Sequence, residues 1–265
     1  MFFLEIQAKF NDNYQDKILE DYYGMNKDNY INLNGLCVGN IMIVSALGFD
    51  FFNDVKFGFN NKNNFNEKVT FRYKNKPLKL LGAITIEEIY YFILKVKKKF
   101  DFIDNFFDIN NTKTIIQLSS FIILGFDNHN IISKINVEKI NQNIIKVSDK
   151  IYSLNSNLSY INKNIFSRSI SYGYISSQLT DNIYFLDIRG IPNAISSIIF
   201  HYHLHSPILI CFLSMNTKKL FTPILFGYSI QTILSILFNN KCLESNKIND
   251  NCVYDSIFMI SDQET

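Results

Sequence analysis

The stretch NAISSIIFHYHLHSPILICFLSMNTKKLFTPILFGYSIQTILSILF, residues 193–238, decides the choice of fold class. Residues 193–204 have helical spacing, Pro207–Leu213 is a short apolar run, and Pro223–Phe238 is a longer one that ends before two asparagines. We interpret the three segments as a helix, a buried strand and a buried helix. Helices alternating with strands are typical of layered α/β proteins.

The rest of the chain fits the same alternation. Val38–Leu47 is apolar enough for a buried strand, and Thr85–Glu88 reads T-I-E-E, a capping box that predicts a helix continuing past Val96. Further strands are predicted at 115–126, 182–188 and 256–260, with a partly helical segment at 131–154. Because no repeat or break in composition divides the chain, we expect a single α/β domain over residues 1–265.

Charge is nearly balanced over the 265 residues, with 26 Lys and Arg against 24 Asp and Glu. The densest basic run, Lys95 to Lys99, falls at the end of a predicted helix, where cations interact favourably with the helix dipole. Proteins that bind nucleic acid usually cluster their cations on one face to neutralise phosphates. We therefore expect no nucleic-acid partner.

The four cysteines, Cys37, Cys211, Cys242 and Cys252, show no CxxC spacing and fit no zinc knuckle. The first ten residues include Glu5 and Lys9 and lack the pattern of a secretory signal. We expect a cytoplasmic protein with reduced thiols.

Two uncharged runs on either side of Lys218 and Lys219 leave a membrane alternative open, a hairpin of spanning helices at 191–238. The first run contains three histidines and several Ser and Asn residues, and burying such polar groups in hydrocarbon costs free energy. The interior of a large domain accounts better for both runs.

Few residues suggest chemistry. His201, His203 and His205 form HxHxH, which on a strand would point three imidazoles to one face and could share Zn²⁺. No carboxylate or cysteine lies near them in sequence, so we expect neither metal nor cofactor. A second hypothesis is an α/β enzyme whose site gathers Asp187, Arg189, His201 and His205 near strand ends.

The order of segments after residue 193 supports a family resemblance. It runs Asn193–Leu204, the turn Ser206–Pro207, the strand 208–213, the helix 228–238 and an acidic end at 262–264, while VSALG at 44–48 matches an opening strand and turn. In this order the chain resembles the N-terminal half of β-ketoacyl synthases. The resemblance implies a layered, thiolase-like half-domain with a mixed central sheet and buried helices.

The chain lacks the residues that carry catalysis in that family. Counting from Pro207, the nucleophilic cysteine would fall near Met215, and Cys211 lies earlier, inside the predicted strand. The three histidines at 201–205 match neither catalytic histidine of the family. The resemblance therefore implies a protein like the chain-length-factor subunits, without condensing activity. Such a protein would pair with a complete ketosynthase in fatty-acid, polyketide or aryl-polyene-type synthesis, and acyl carrier protein or a second copy of the chain are further expected partners.

Overall fold

A computed structural model describes residues 2–10, 30–39, 41–49, 69–99, 103–104, 111–126, 145–155, 169–188, 195–217 and 224–239. The predicted strand at 256–260, most of the predicted helical segment at 131–154, and Arg189 lie outside these residues.

Six strands of the first half close into an antiparallel barrel. They are β1 (Phe2–Phe10), β2 (Tyr30–Val38), β3 (Ile41–Ser45), β4 (Val69–Tyr73), β5 (Lys76–Thr85) and β7 (Ser120–Phe126). Their order around the barrel is β1-β2-β3-β7-β5-β4, and β4 pairs with β1 to close it. Lys74 and Asn75 turn β4 into β5 with φ of 46° and 64°, and two positive φ values are the mark of a tight hairpin turn that matches strand twist.

The second half forms another antiparallel ring of six strands. They are β8 (Lys150–Asn155), β9 (Ser169–Gln178), β10 (Ile183–Ile188), β11 (Ile198–His201), β12 (Pro207–Thr217) and β13 (Ile224–Ser229). The order β11-β8-β9-β10-β13-β12 closes because β12 also pairs with β11. A short strand β6 (Ile103–Asp104) extends the sheet beside β12.

The described ranges contain three helices. They are α1 (Glu87–Lys99), α2 (Thr112–Leu118) and α3 (Ile230–Asn239). The predicted helix after Thr85 is confirmed as α1, but its predicted cap is wrong, because the Thr85 hydroxyl bonds to Ser120 instead. Asn111 caps α2 by accepting from the Lys113 N–H at 2.9 Å.

Strand β12 explains why its sequence is uncharged. Leu209 and Cys211 pack with the residues inside the second barrel, whereas Ile210 and Phe212 belong to the apolar cluster that reaches the first barrel and α1. Both faces of the strand are therefore buried, and a strand buried on both faces reads as a continuous apolar run. The strand predicted at Pro207–Leu213 is confirmed within β12.

The expected fold class is wrong. Every strand pairing in the described part of the chain is antiparallel and the strands close into two barrels, so no layered, thiolase-like mixed sheet forms there. The helix predicted at 193–204 is a turn followed by β11, and the helix predicted at 223–238 is β13 followed by the shorter α3. The strand predicted at 115–126 is instead α2 followed by β7.

No helix within the described residues is long and apolar enough to cross a membrane. The hairpin of spanning helices considered for 191–238 is also wrong, since this stretch contributes three strands and a ten-residue helix.

Candidate functional site

The two barrels are joined where the end of β3 faces the turn before β11. The backbone N–H of Ser45 donates to Ser196 Oγ at 3.3 Å, and both serines are buried. The Ser196 N–H donates to the Cys211 carbonyl at 2.7 Å, which ties this turn to β12. Ser196 has a φ of 64°, and this left-handed conformation costs a non-glycine residue about 1 kcal/mol or more.

Hydroxyl and amide groups extend this contact into the first barrel. Thr85 Oγ1 and Ser120 Oγ lie 2.8 Å apart. Gln117 holds the loop after β3 from both sides, because its Nε2 donates to the Phe49 carbonyl at 2.9 Å and its Oε1 accepts from the Gly48 N–H at 3.3 Å. These buried polar residues bind one another or the backbone, which makes the group a structural joint. We call this group the seam: Ser45, Thr85, Gln117, Ser120 and Ser196.

The HxHxH motif, residues 201–205, forms the turn between β11 and β12. His201 Nε2 lies 3.7 Å from Asp149 Oδ2, while its Nδ1 accepts from a backbone N–H of the turn at 3.3 Å. His205 Nδ1 lies 3.4 Å from the Tyr152 hydroxyl. The three rings therefore do not converge as a strand would have arranged them, and among the described residues no three His, Cys, Asp or Glu side chains could hold a metal ion.

The other residues singled out in the sequence are not brought together. Asp187 is exposed on β10, and β9 and β8 separate it from β11 and His201. The enzyme site expected from Asp187, Arg189, His201 and His205 is therefore not supported. Met215 is buried in β12, and burial raises the pKa of the Cys211 thiol to about 12. A thiol with such a pKa is protonated at neutral pH and unreactive.

A cleft of about 680 Å³ lies between α1 and the outer surface of the second barrel. One face of the helix forms its first wall, with residues spaced by three or four along the sequence. These residues are Glu88, Tyr91, Phe92, Lys95 and Val96. Because a helix rises about 1.5 Å per residue, Glu88 and Lys95 are separated by roughly 10 Å along this wall.

The opposite wall consists of apolar residues from three neighbouring strands. Phe185 on β10 is paired directly with Phe226 on β13, and Met215 on β12 is paired with Ile224 on β13. The Phe92 ring meets the Phe226 ring edge-on at 5.2 Å between centroids. Aromatic pairs of this geometry add to the stability of an apolar contact. The pair therefore helps to hold the helix wall against the strand wall.

One end of the cleft is closed by a hydrogen-bond network around Glu88. Its carboxylate accepts from Thr180 Oγ1, from Asn182 Nδ2 at 2.9 Å and from the Tyr228 hydroxyl at 2.9 Å. Burial, followed by the negative charge of Glu88, raises the pKa of Tyr228. Asn182 Oδ1 accepts in turn from Thr232 Oγ1 at 2.6 Å, so the network fixes α1 to β13, α3 and the β9–β10 turn. We call this network the clamp.

The far end of the cleft carries Lys95, whose side chain is exposed. Lys95 lies on the helix before the final turn, whereas Lys97 and Lys98 follow it toward the helix end at Lys99. The prediction that the lysine run lies at the end of a helix is thus confirmed. Its first lysine, Lys95, also lines the cleft, which was not predicted. Sequence reasoning missed the cleft because its walls come from segments that are far apart in the chain. The one usable signal was the capping-box helix, which carries both Glu88 and Lys95 on one face.

No protein-family model and no curated protein sequence matches the chain. Solved structures do resemble it. One, titled "HtrA-type protease AlgWS227A with decapeptide", is 10% identical with a TM-score of 0.42 and covers 93% of this chain. This chain spans 64% of the length of that one. Another, kallikrein-related peptidase 10, is 9% identical with a TM-score of 0.45 and covers 91% of this chain and 96% of its own.

Both of these structures are named as peptidases. The two closed antiparallel barrels of this chain correct the resemblance to β-ketoacyl synthases, which implied a mixed central sheet. The implied role, pairing with a complete ketosynthase in fatty-acid, polyketide or aryl-polyene-type synthesis, is wrong. The expectations of a single domain, of no nucleic-acid partner, of a homo-oligomer and of a cytoplasmic location stay predictions.

Proposed function

We propose that the chain is a binding protein that holds a small molecule with an extended apolar body in the cleft beside α1. The observation that supports this is the cleft itself, about 680 Å³ of space bounded mainly by aromatic and aliphatic side chains. Sites for small organic ligands have volumes of about 300–1,000 Å³, apolar walls and a few placed polar groups. The polar groups here lie toward the two ends, so the middle of the cleft is suited to an apolar body.

The clamp supports the same proposal because it keeps the cleft in shape before a ligand arrives. Glu88, Thr180 and Asn182 bind one another and Tyr228, which fixes the helix wall against the strand wall. A preformed site binds more tightly, since less conformational entropy is lost on binding.

Titration with Nile red, an uncharged apolar dye, tests the proposal. We expect saturable binding with increased, blue-shifted fluorescence. In the variant Leu179→Glu we expect about tenfold weaker binding, because a carboxylate in the apolar cleft must be desolvated by the bound dye. Leu179 is 44% exposed, so the variant should fold.

The matched control is Leu204→Glu, which makes the same change at a leucine that is 54% exposed and lies in the β11–β12 turn. It should bind the dye like the unmodified protein. Dye binding that is not saturable, or that the two variants weaken equally, would rule out the cleft as the binding site.

Peptide hydrolysis, the activity in the names of the two similar structures, is measured on the same preparation with unfolded casein. Binding without turnover is the outcome that the proposal requires. Sustained cleavage by the purified protein would replace binding by catalysis as the function.

A further inference from the structure

The polar groups around the cleft differ in how much of their hydrogen-bonding capacity is already used. At one end, both carboxylate oxygens of Glu88 accept hydrogen bonds from the clamp. The Thr180 hydroxyl donates to Glu88 and also accepts from the Ile183 N–H at 3.0 Å. These groups have little capacity left for a ligand.

Lys95 at the other end of the cleft has its hydrogen-bonding capacity unused by the described residues. Across the described ranges it makes no hydrogen bond or ion pair, so no described residue takes up its three N–H donors. Tyr91 lies one helical turn before it, also exposed and also lining the cleft, and residues four apart are neighbours on a helix surface. The two side chains together offer a cation and a hydroxyl at the open end.

The charges along α1 give the cleft a direction. Glu87 and Glu88 stand at the start of the helix, while Lys95, Lys97 and Lys98 stand toward its end. An anionic group is repelled at the first end and attracted at the second, and the flanking lysines add to this field. An apolar chain would then extend from the lysine end toward Leu179.

We propose that the ligand is an aliphatic carboxylic acid, with its carboxylate bound by Lys95 and Tyr91 and its hydrocarbon chain against Phe92, Phe185 and Phe226. This inference rests on the proposed binding function and names its ligand class. Lys95 is exposed, and exposed ion pairs contribute modestly, so the carboxylate should improve binding by about threefold to fivefold over an uncharged head group.

Competition against bound Nile red tests this with three molecules of equal chain length: decanoate, decan-1-ol and decyltrimethylammonium. Each is used below its critical micelle concentration or, for the alcohol, below its solubility limit. We expect decanoate to displace the dye at about three to five times lower concentration than the alcohol, and the cation to be weakest. The advantage of decanoate should shrink in high salt, since exposed charges are screened.

Two lysine variants localise the head group. Lys95→Met keeps most of the length of the side chain and removes its charge, and it should abolish the preference for decanoate over decan-1-ol. Lys98→Met removes an exposed charge from the same helix outside the cleft lining and should preserve most of the preference.

Failure of the two proposals can be told apart. If Nile red does not bind in the cleft, the binding function itself is overturned. If Nile red binds there but decanoate and decan-1-ol compete equally, or the cation competes best, only the carboxylate inference is overturned. An equal loss of preference in Lys95→Met and Lys98→Met would also overturn it, because the effect would then come from overall charge.

Discussion

The seam and the cleft both lie between the two halves of the chain, but they treat polar groups in opposite ways. In the seam, buried hydroxyl and amide groups such as Ser196 and Gln117 are bound to nearby backbone. Beside α1, the polar groups lie at the two ends of the cleft, in the clamp and at Lys95 with Tyr91, and the surface between them is apolar and open. The difference shows how one interface can be closed by buried hydrogen bonds in one place and leave an apolar cleft open in another.

The largest expected effect comes from breaking the clamp. Glu88→Ala removes the acceptor for Thr180, Asn182 and Tyr228, and leaving partly buried donors without partners should lower the free energy of unfolding by about 2–3 kcal/mol. Urea denaturation measures the loss, and Nile red binding should weaken with it because α1 is no longer fixed.

Glu87→Ala is the control, since it removes a carboxylate from the preceding position of the same helix turn outside the clamp. It should change the free energy of unfolding by less than about 0.5 kcal/mol. Equal losses in the two variants would mean that the clamp contributes nothing beyond charge at the start of the helix.

Substitutions in the seam should lower the free energy of unfolding by a smaller amount, and the amount should depend on the backbone conformation that the new residue can adopt. Ser196→Ala leaves the buried Ser45 N–H without its acceptor and should cost about 2 kcal/mol. Ser196→Gly loses the same hydrogen bond but adopts the φ of 64° without strain, so it should be about 1 kcal/mol more stable than the alanine variant. If alanine were the more stable of the two, the strain assigned to Ser196 would be wrong.

The sequence predicted local features better than the architecture. The apolar run at Pro207–Leu213 and the helix after Thr85 were correctly located, because strands and helices leave short-range patterns. The bounds of the apolar runs after residue 206 were predicted wrongly. Strand β12 is buried on both faces and extends beyond the predicted strand, and β13 continues directly into α3, so that the two were predicted as one helix. Such runs look alike whether they come from a buried strand, a buried helix or both in succession.

Closure of the barrels could not be predicted in the same way. It depends on β11 pairing with β8 as well as with its sequence neighbour β12, and on β4 pairing with β1. The β11–β8 and β4–β1 contacts join distant parts of the chain. The candidate site is missed for the same reason. Glu88 and Lys95 were visible in the predicted helix, but the wall they face is built from β10, β12 and β13.

The smallest expected effect is a pH dependence that belongs to the clamp and not to the seam. The folded protein holds the pKa of Tyr228 above its usual value, chiefly through burial and then through the charge of Glu88. The stability that this shift contributes is present below the unfolded value near 10 and is lost as the pH rises above it, because only the unfolded chain then releases the proton.

Comparing the unmodified protein with Tyr228→Phe at pH 8 and pH 10.5 isolates this contribution, since the other tyrosines and the lysines titrate in both. The substitution should cost about 1 kcal/mol at pH 8, where it removes one donor from Glu88. The difference between the two proteins should narrow by about 0.8 kcal/mol at pH 10.5, as expected for one tyrosine that ionises only when unfolded. If the difference in free energy of unfolding between the two proteins stayed constant, Tyr228 would ionise in the folded protein as readily as in the unfolded chain. Its hydroxyl would then be in contact with water and not buried in the clamp.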